Sequence, residues 1–167
     1  MKKYNETKPA SPALNKAYLM MNLSFALLLP AISVVIEHYI DHATIAWHLA
    51  GKWLIFWGAG MRLFTAGIKQ AATPEFTAIN IFKIKGKESY VIIRELGFAN
   101  ISLGIMGILS ALNDSWRMLA AIATGIFFGF SATQHCAKKP CSTNEKVALC
   151  YDMFIFLGLM IYLFSQR

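Results

Sequence analysis

The sequence predicts an all-α transmembrane bundle, with five spans and a short amphipathic interfacial helix between the second and third. Three observations predict it. Hydrophobic residues make up 56% of the 167 positions and charged residues 15%, and the mean hydropathy is +0.47, whereas apolar residues make up roughly half of an ordinary soluble domain. Near-continuous apolar runs of spanning length recur between short polar connections. The stretch at 51–70, GKWLIFWGAGMRLFTAGIKQ, is apolar enough to cross a bilayer yet carries Lys52 and Arg62. A charge at that depth needs a partner.

The net charge of +7 raises the question of nucleic acid. A soluble basic domain does not contain several apolar runs of this length, so nucleic acid is excluded as a partner and the basic residues are read as setting topology. Residues 1–16 read as a polar cytoplasmic tail and residues 17–167 as one membrane domain. The tail lacks the pattern of a cleavable signal peptide, and the first span is expected to stay attached.

Within the tail, Ser11 and Pro12 have the order of a helix cap and first helical position. The run at 17–36 is long enough to cross ~30 Å of hydrocarbon at about 1.5 Å per residue. Pro30 lies inside it and predicts a kink, because it removes a donor and crowds the preceding turn. EHYIDHATIAWH follows and reads as a solvated connection at the headgroup boundary, with Tyr39 and Trp47 as anchors. Its Glu37, His38, Asp41, His42 and His48 have the chemistry of metal ligands, and Glu37 with Asp41 and His38 with His42 repeat at i,i+4, but a metal site also needs fixed supporting partners that a solvated connection does not supply. No metal is expected there. The second span is placed at about 45–68.

KQAATPEFTAINIFKIKGKES is too polar to cross. Thr73 as cap, Pro74 as first residue, Phe76, Ile79 and Phe82 on one face, and Gly86 as terminator describe a helix lying along the surface. Lys83, Lys85 and Lys87 beside it favour anionic headgroups. Packing under the bundle as an ordinary connector is the alternative. The third span, about 90–112, carries Arg94, Glu95 and Asn100 among small residues that let backbones approach, and is expected to be central. Asn113 or Asp114 caps the fourth span, about 116–136, where Gly125 and Gly129 form a GxxxG pair. Ser142 and Glu145 have capping-box spacing before the fifth span, about 147–164.

Eleven lysines, Lys2, Lys3, Lys8, Lys16, Lys69, Lys83, Lys85, Lys87, Lys138, Lys139 and Lys146, fall on one side of this topology, and Arg117 and Arg167 on the other. The positive-inside rule then puts the amino terminus and both basic loops in the cytoplasm. Cys136, Cys141 and Cys150 fall near that reducing side, so no structural disulfide is expected.

Depth provides the functional argument. Arg62, Arg94, Glu95, Asn100, His135 and Asp152 fall at similar depth near the cytoplasmic side and form a candidate polar layer, with Arg62 expected to pair with Glu95. Such residues mark ligand or proton pathways, or lock helices together as ion bridges. Glu37, His48 and Lys52 would form the outer mouth of a path.

GKWLIFWGAGMRLFTAGIKQ, PEFTAINIF, RELGFANISLGIMGILS, GIFFGFSATQH and YDMFIFL together resemble a bacterial family of small multi-span proteins known as a domain of unknown function. The likeness covers about 51–157 and RELGFAN is its most specific part. It implies a helical membrane fold and no catalytic residues. A looser similarity is to DoxX-like membrane bundles, some of which are linked to quinone or thiol redox chemistry. Two function classes follow. One is a non-enzymatic protein that binds or conducts a small polar solute or protons. The other is a redox or lipid-modifying membrane enzyme using Glu95 or His135 as acid or base. Expected partners are the lipid bilayer, further copies of the chain, and a small polar solute, proton or lipid-like ligand. The residues name no cofactor.

Reporter fusions at Asp41, Lys85, Asp114, Lys139 and Arg167 are expected to read out, in, out, in, out. A carboxyl-terminal reporter active only in the cytoplasm would overturn the five-span count.

Overall fold

A computed structural model describes residues 14–82, 84, 86–138 and 142–166. The capping pair Ser11 and Pro12, the rest of the tail to residue 13, and Lys83, Lys85, Lys139, Cys141 and Arg167 lie outside the described residues. Among those described, the chain is all-helical. Helix α1 is Lys16–Asp41. Helix α2 runs over 47–72 through Trp47–Trp53, Leu54–Met61 and Arg62–Ala72. Helix α3 covers 74–82, α4 is Ser89–Leu109, α5 is Asp114–Lys138 and α6 is Thr143–Ser165.

Four of these, α1, α4, α5 and α6, are long and apolar enough to cross a membrane. Their outward faces carry the pattern of a lipid-solvated surface: Leu23, Leu27, Ile32 and Ile36 on α1, Val91, Ile92 and Phe98 on α4, and Ile126 and Phe130 on α5 are all exposed. Contiguous apolar exposure on this scale is foreign to a soluble monomer. The protein is a multi-pass helical membrane protein. Helix α2 matches the others in length, but Lys52, Arg62 and Lys69 keep it out of that apolar set.

The central helix is α2, and not the helix of the expected third span. Ile55, Gly58, Ala59, Gly60, Leu63 and Gly67 of α2 are buried, and its neighbours are α1, α4, α5 and α6. Small residues decide the closest approach. A Cβ added at Gly60 would lie 2.8 Å from the backbone of Gly107, and one added at Gly104 would lie 2.5 Å from the backbone nitrogen of Phe64. The seam between α2 and α4 therefore brings backbone against backbone, the packing that holds helices together in lipid. The GxxxG pair on α5 has a looser setting, since Gly125 faces the flexible end of Met160 at 3.2 Å.

Among the described residues, three helices contain π-helical stretches, α3 over Thr77–Phe82 and the two long helices α1 and α2. In α1 the π-helical stretch is Ser24–Leu28, just before Pro30, so the chain absorbs the proline by local rewinding and continues. In α2 it is Leu54–Met61, the segment containing Gly58 and Gly60. The expected loop after α1 is shorter than the sequence suggested, because α1 continues through Glu37 to Asp41 before His42 takes a left-handed cap at φ 53°. Asparagine and aspartate tolerate that region best, and histidine next.

The helix cap at Thr73 differs from the expectation. Its hydroxyl donates back to the Lys69 carbonyl and so closes α2, while Pro74 opens α3 as expected. Helix α3 buries Pro74, Thr77, Ala78 and Ile81 against the bundle and leaves Ile79 exposed. It contacts α2, α4 and α6. Asn113 caps α5 by accepting from the Ser115 N–H at 3.1 Å, and Ser142 caps α6 by accepting from the Glu145 N–H at 3.2 Å, as their spacing predicts.

Gly104→Ala is expected to lower the detergent melting temperature clearly, at a cost of about 1–3 kcal/mol for overpacking a rigid seam. Gly125→Ala should change it little, because Met160 can move. Equal effects in thermal unfolding would overturn the assignment of the tight seam to α2 and α4.

Candidate functional site

One end of the bundle gathers the start of α1, the end of α2, α3, the end of α5 and the start of α6. The Asn15 N–H donates to Asn144 Oδ1 at 2.9 Å, and Lys138 Nζ donates to the Phe82 carbonyl at 2.8 Å. Below these ties lies a cavity of ≈ 470 Å³, within the ~300–1,000 Å³ range of small-ligand pockets. Its wall combines charged groups with aromatic ones, including Arg62, Lys69, Asp152, Tyr18, Phe127 and Phe128.

Arg62 projects from α2 just where the π-helical turn ends. Its Nε donates to Asn22 Oδ1 at 2.8 Å and an Nη to the Tyr18 hydroxyl at 3.3 Å. Asn22 is itself steadied by donating to the Tyr18 carbonyl one turn back. The guanidinium carbon lies 5.6 Å from the Tyr18 ring centre and 5.2 Å from that of Tyr151, distances at which a ring face attracts a cation. Tyr151 is fixed in turn by donating its hydroxyl to the Gly58 carbonyl at 2.7 Å, inside the π-helical segment. The partners of Arg62 are thus neutral. Among the described residues no carboxylate comes within ion-pairing distance of it.

Asp152 and His135 line the same cavity, and Asp152 lies close enough to Arg62 for the two charges to interact. His135 Nε2 is 3.8 Å from Asp152 Oδ2, and His135 Nδ1 is 3.7 Å from Glu145 Oε1. Lys138 Nζ is 3.8 Å from the same Glu145 oxygen. The Glu145 side chain is fully buried. This row of Asp152, His135, Glu145 and Lys138 leads from the cavity wall towards the end of the bundle. Asn100 on α4 is 4% exposed; its Nδ2 donates to Gln70 Oε1 at 2.7 Å, and its Oδ1 is buried with no hydrogen-bond partner among the described residues. A buried acceptor left open in a cavity wall is costly unless a ligand or water completes it.

The structure therefore brings together Arg62, Asn100, His135 and Asp152 of the candidate layer and leaves out the other two. Arg94 and Glu95 are exposed on α4 and do not line the cavity. The expected pairing of Arg62 with Glu95 is not found. The α-helical register decides this: Gly97 and Gly104 face α2, and Glu95 stands on a different face from the seam. Sequence reasoning missed Tyr18, Asn22, Gln70 and Tyr151, and it read Glu145 only as a capping residue. The signal for Asn22 is its polarity within an apolar run one turn after Tyr18, but nothing local shows that this face meets Arg62.

At the far end the three outer residues divide into two pairs. Lys52 Nζ reaches both Glu37 oxygens at 2.8 Å, and Trp53 Nε1 donates to Glu37 at 2.7 Å. Arg117, which the topology count treated as a flanking charge, is 2% exposed. It donates to His48 Nε2 at 2.8 Å and pairs with Asp114. Because a guanidinium has no acceptor, His48 Nε2 takes the acceptor role. His38 Nδ1 lies 2.7 Å from the Ala43 carbonyl, and among the described residues no three potential ligands are gathered at metal-binding distance. Cys136 and Cys150 are free and exposed.

The match to known families covers residues 16–167, the whole described bundle from α1 onward. The chain belongs to DUF6790, a family of unknown function. Neither the curated proteins nor the solved structures gave a match. For this DUF6790 chain the functional argument accordingly rests on the cavity and its walls.

Tyr151→Phe is expected to lower stability by about 1–2 kcal/mol, since it leaves the buried Gly58 carbonyl without its donor. Glu95→Gln should leave the melting temperature unchanged. A large loss for Glu95→Gln in thermal unfolding would restore the pairing that the geometry denies.

Proposed function

We propose that this DUF6790 protein is a five-span protein of a bacterial inner membrane, with a cytoplasmic amino terminus, whose cavity binds a small polar or lipid-like solute. One observation carries the reading: Arg62, in a helix at membrane depth, has only neutral partners in the wall of a ligand-sized cavity. A cation held there with no direct ion pair, Asp152 being the acid in the same wall whose charge it feels, is expensive, so residues of this kind mark binding or transport sites.

The orientation follows from the lysines. Lys16, Lys69, Lys138 and Lys146 sit at helix ends on the cavity side of the bundle, and the positive-inside rule makes that side cytoplasmic. On this orientation α2 counts as the fifth span, since its charges are met inside the bundle by Asn22, Tyr18 and Glu37. Helix α3 then lies at the cytoplasmic interface as a floor to the cavity. Its exposed Ile79 and the exposed Ile84 beyond it would sit among lipid.

A second reading is favoured by the placement of His135 between two carboxylates. That arrangement suits proton exchange between the cavity and the cytoplasmic end, either to couple solute binding to protons or to serve an enzyme of DoxX-like type. Assembly with further copies of the chain is compatible with either reading.

A native mass spectrum of gently purified protein is expected to show a retained small molecule. Ala66→Phe, which fills the cavity from the α2 wall, should lose it while keeping its helical circular dichroism. A spectrum unchanged by Ala66→Phe would sink the cavity as the binding site.

A further inference from the structure

We infer, on the reading that the cavity is a ligand site, that its ligand is an anionic amphiphile which enters sideways from the bilayer and places its acid group on Arg62. The acid is argued from donors. A guanidinium has five N–H donors, and Nε with one Nη hydrogen are used on Asn22 and Tyr18. The remaining donors include the end-on pair from its two terminal nitrogens, the fork that matches a carboxylate or phosphate with two parallel bonds. Its hydrogen-bond partners are neutral, and Asp152 in the same wall feels the Arg62 charge but, among the described residues, makes no direct bond to it. Lys69 adds a second cation to the same cavity wall, held 3.6 Å from the Phe76 ring centre.

The amphiphilic body is argued from the rest of the wall and from the route in. Beside the charged groups stand Phe76, Phe82, Phe127 and Phe128, which suit an apolar chain better than a fully hydrated ion. Phe130 lines the cavity and is also 73% exposed on the outer surface. It lies eight residues before the Lys138 end of α5, about 12 Å along the axis, and so within the hydrocarbon of a ~30 Å core. Gln134, one turn nearer that end, is likewise exposed and lines the cavity. The rim marked by Phe130 and Gln134 thus opens towards lipid, at a depth where acyl chains lie and soluble anions do not.

The experiment titrates detergent-solubilised protein with oleate, oleyl alcohol and hexanoate and counts bound molecules by native mass spectrometry. Oleate is expected to bind saturably at one per chain, and Arg62→Gln should weaken it about tenfold or more, as loss of a charge-assisted fork does. Arg62→Lys should recover part of the affinity. Oleyl alcohol should bind at least tenfold more weakly than oleate for the same reason. Equal binding of oleyl alcohol would show that Arg62 does not read an acid group and would overturn the inference. Hexanoate binding as tightly as oleate would make the ligand a soluble anion, overturning lateral entry while leaving the cavity as the site. No binding of any of the three, together with no retained molecule in the wild type, would sink the cavity reading itself. Should Arg62→Gln fail to fold, a diazirine-bearing stearate photolysed with the wild-type protein gives an independent answer. Adducts at Phe127, Phe130 or Gln134 are expected, and adducts spread over the lipid-facing sides of α1 and α4 alone would overturn the inference.

Discussion

A guanidinium held inside a helical bundle has to be solvated by the protein, and much of this bundle is arranged around how Arg62 is solvated. Water would supply several hydrogen bonds and a high dielectric; the protein supplies an amide oxygen, a hydroxyl and two tyrosine faces. Each of those groups is itself held. Asn22 leans on the Tyr18 carbonyl, and Tyr151 is anchored on the Gly58 carbonyl. Moving any one of these helices would strand a charge in a low dielectric, so the cation also registers α1 and α6 against α2.

The same helix carries the features that make room for this arrangement. Glycines along α2 bring it into backbone contact with α4 on one side, while the π-helical turn over Leu54–Met61 widens the helix just before Arg62. A widened turn re-aims the residues that follow and changes which carbonyls face outwards. The close seam and the open cavity are therefore different faces of one helix, meeting where Asn100 of α4 bonds Gln70 at the cavity edge. Tight packing towards α4 leaves space towards α1, α5 and α6, where the aromatic and ionisable walls stand.

The two ends of the bundle treat charge differently. At the end away from the cavity, Lys52 and Arg117 each have a carboxylate or imidazole in direct contact: Lys52 with Glu37, and Arg117 with Asp114 and His48. Those pairs close the structure. At the cavity end Arg62 and Asp152 line one cavity and feel each other's charge with no direct ion pair between them. Charges that are kept apart remain available to a ligand, and charges that are paired do not.

The sequence by itself determined the helical membrane architecture, most helix boundaries to within a few residues, the cap at Ser142, the α5 cap to Asn113 or Asp114, and the presence of Arg62, Asn100, His135 and Asp152 at a common depth. These are properties of composition, of local backbone chemistry and of distance along a helix of known rise, none of which depends on neighbours. Tertiary structure alone decided which face of each helix looks inward. Glu95 and Asp152 are alike in sequence, each an acid a turn or so into an apolar helix, yet one is exposed and the other lines the cavity. In a soluble protein the apolar stripe would have separated them, but a helix in lipid is apolar on every side, and its periodicity no longer marks the core. The orientation instead came from glycine contacts and from hydrogen bonds between residues as far apart as Tyr18 and Arg62, and contacts across such separations leave no local pattern to be read.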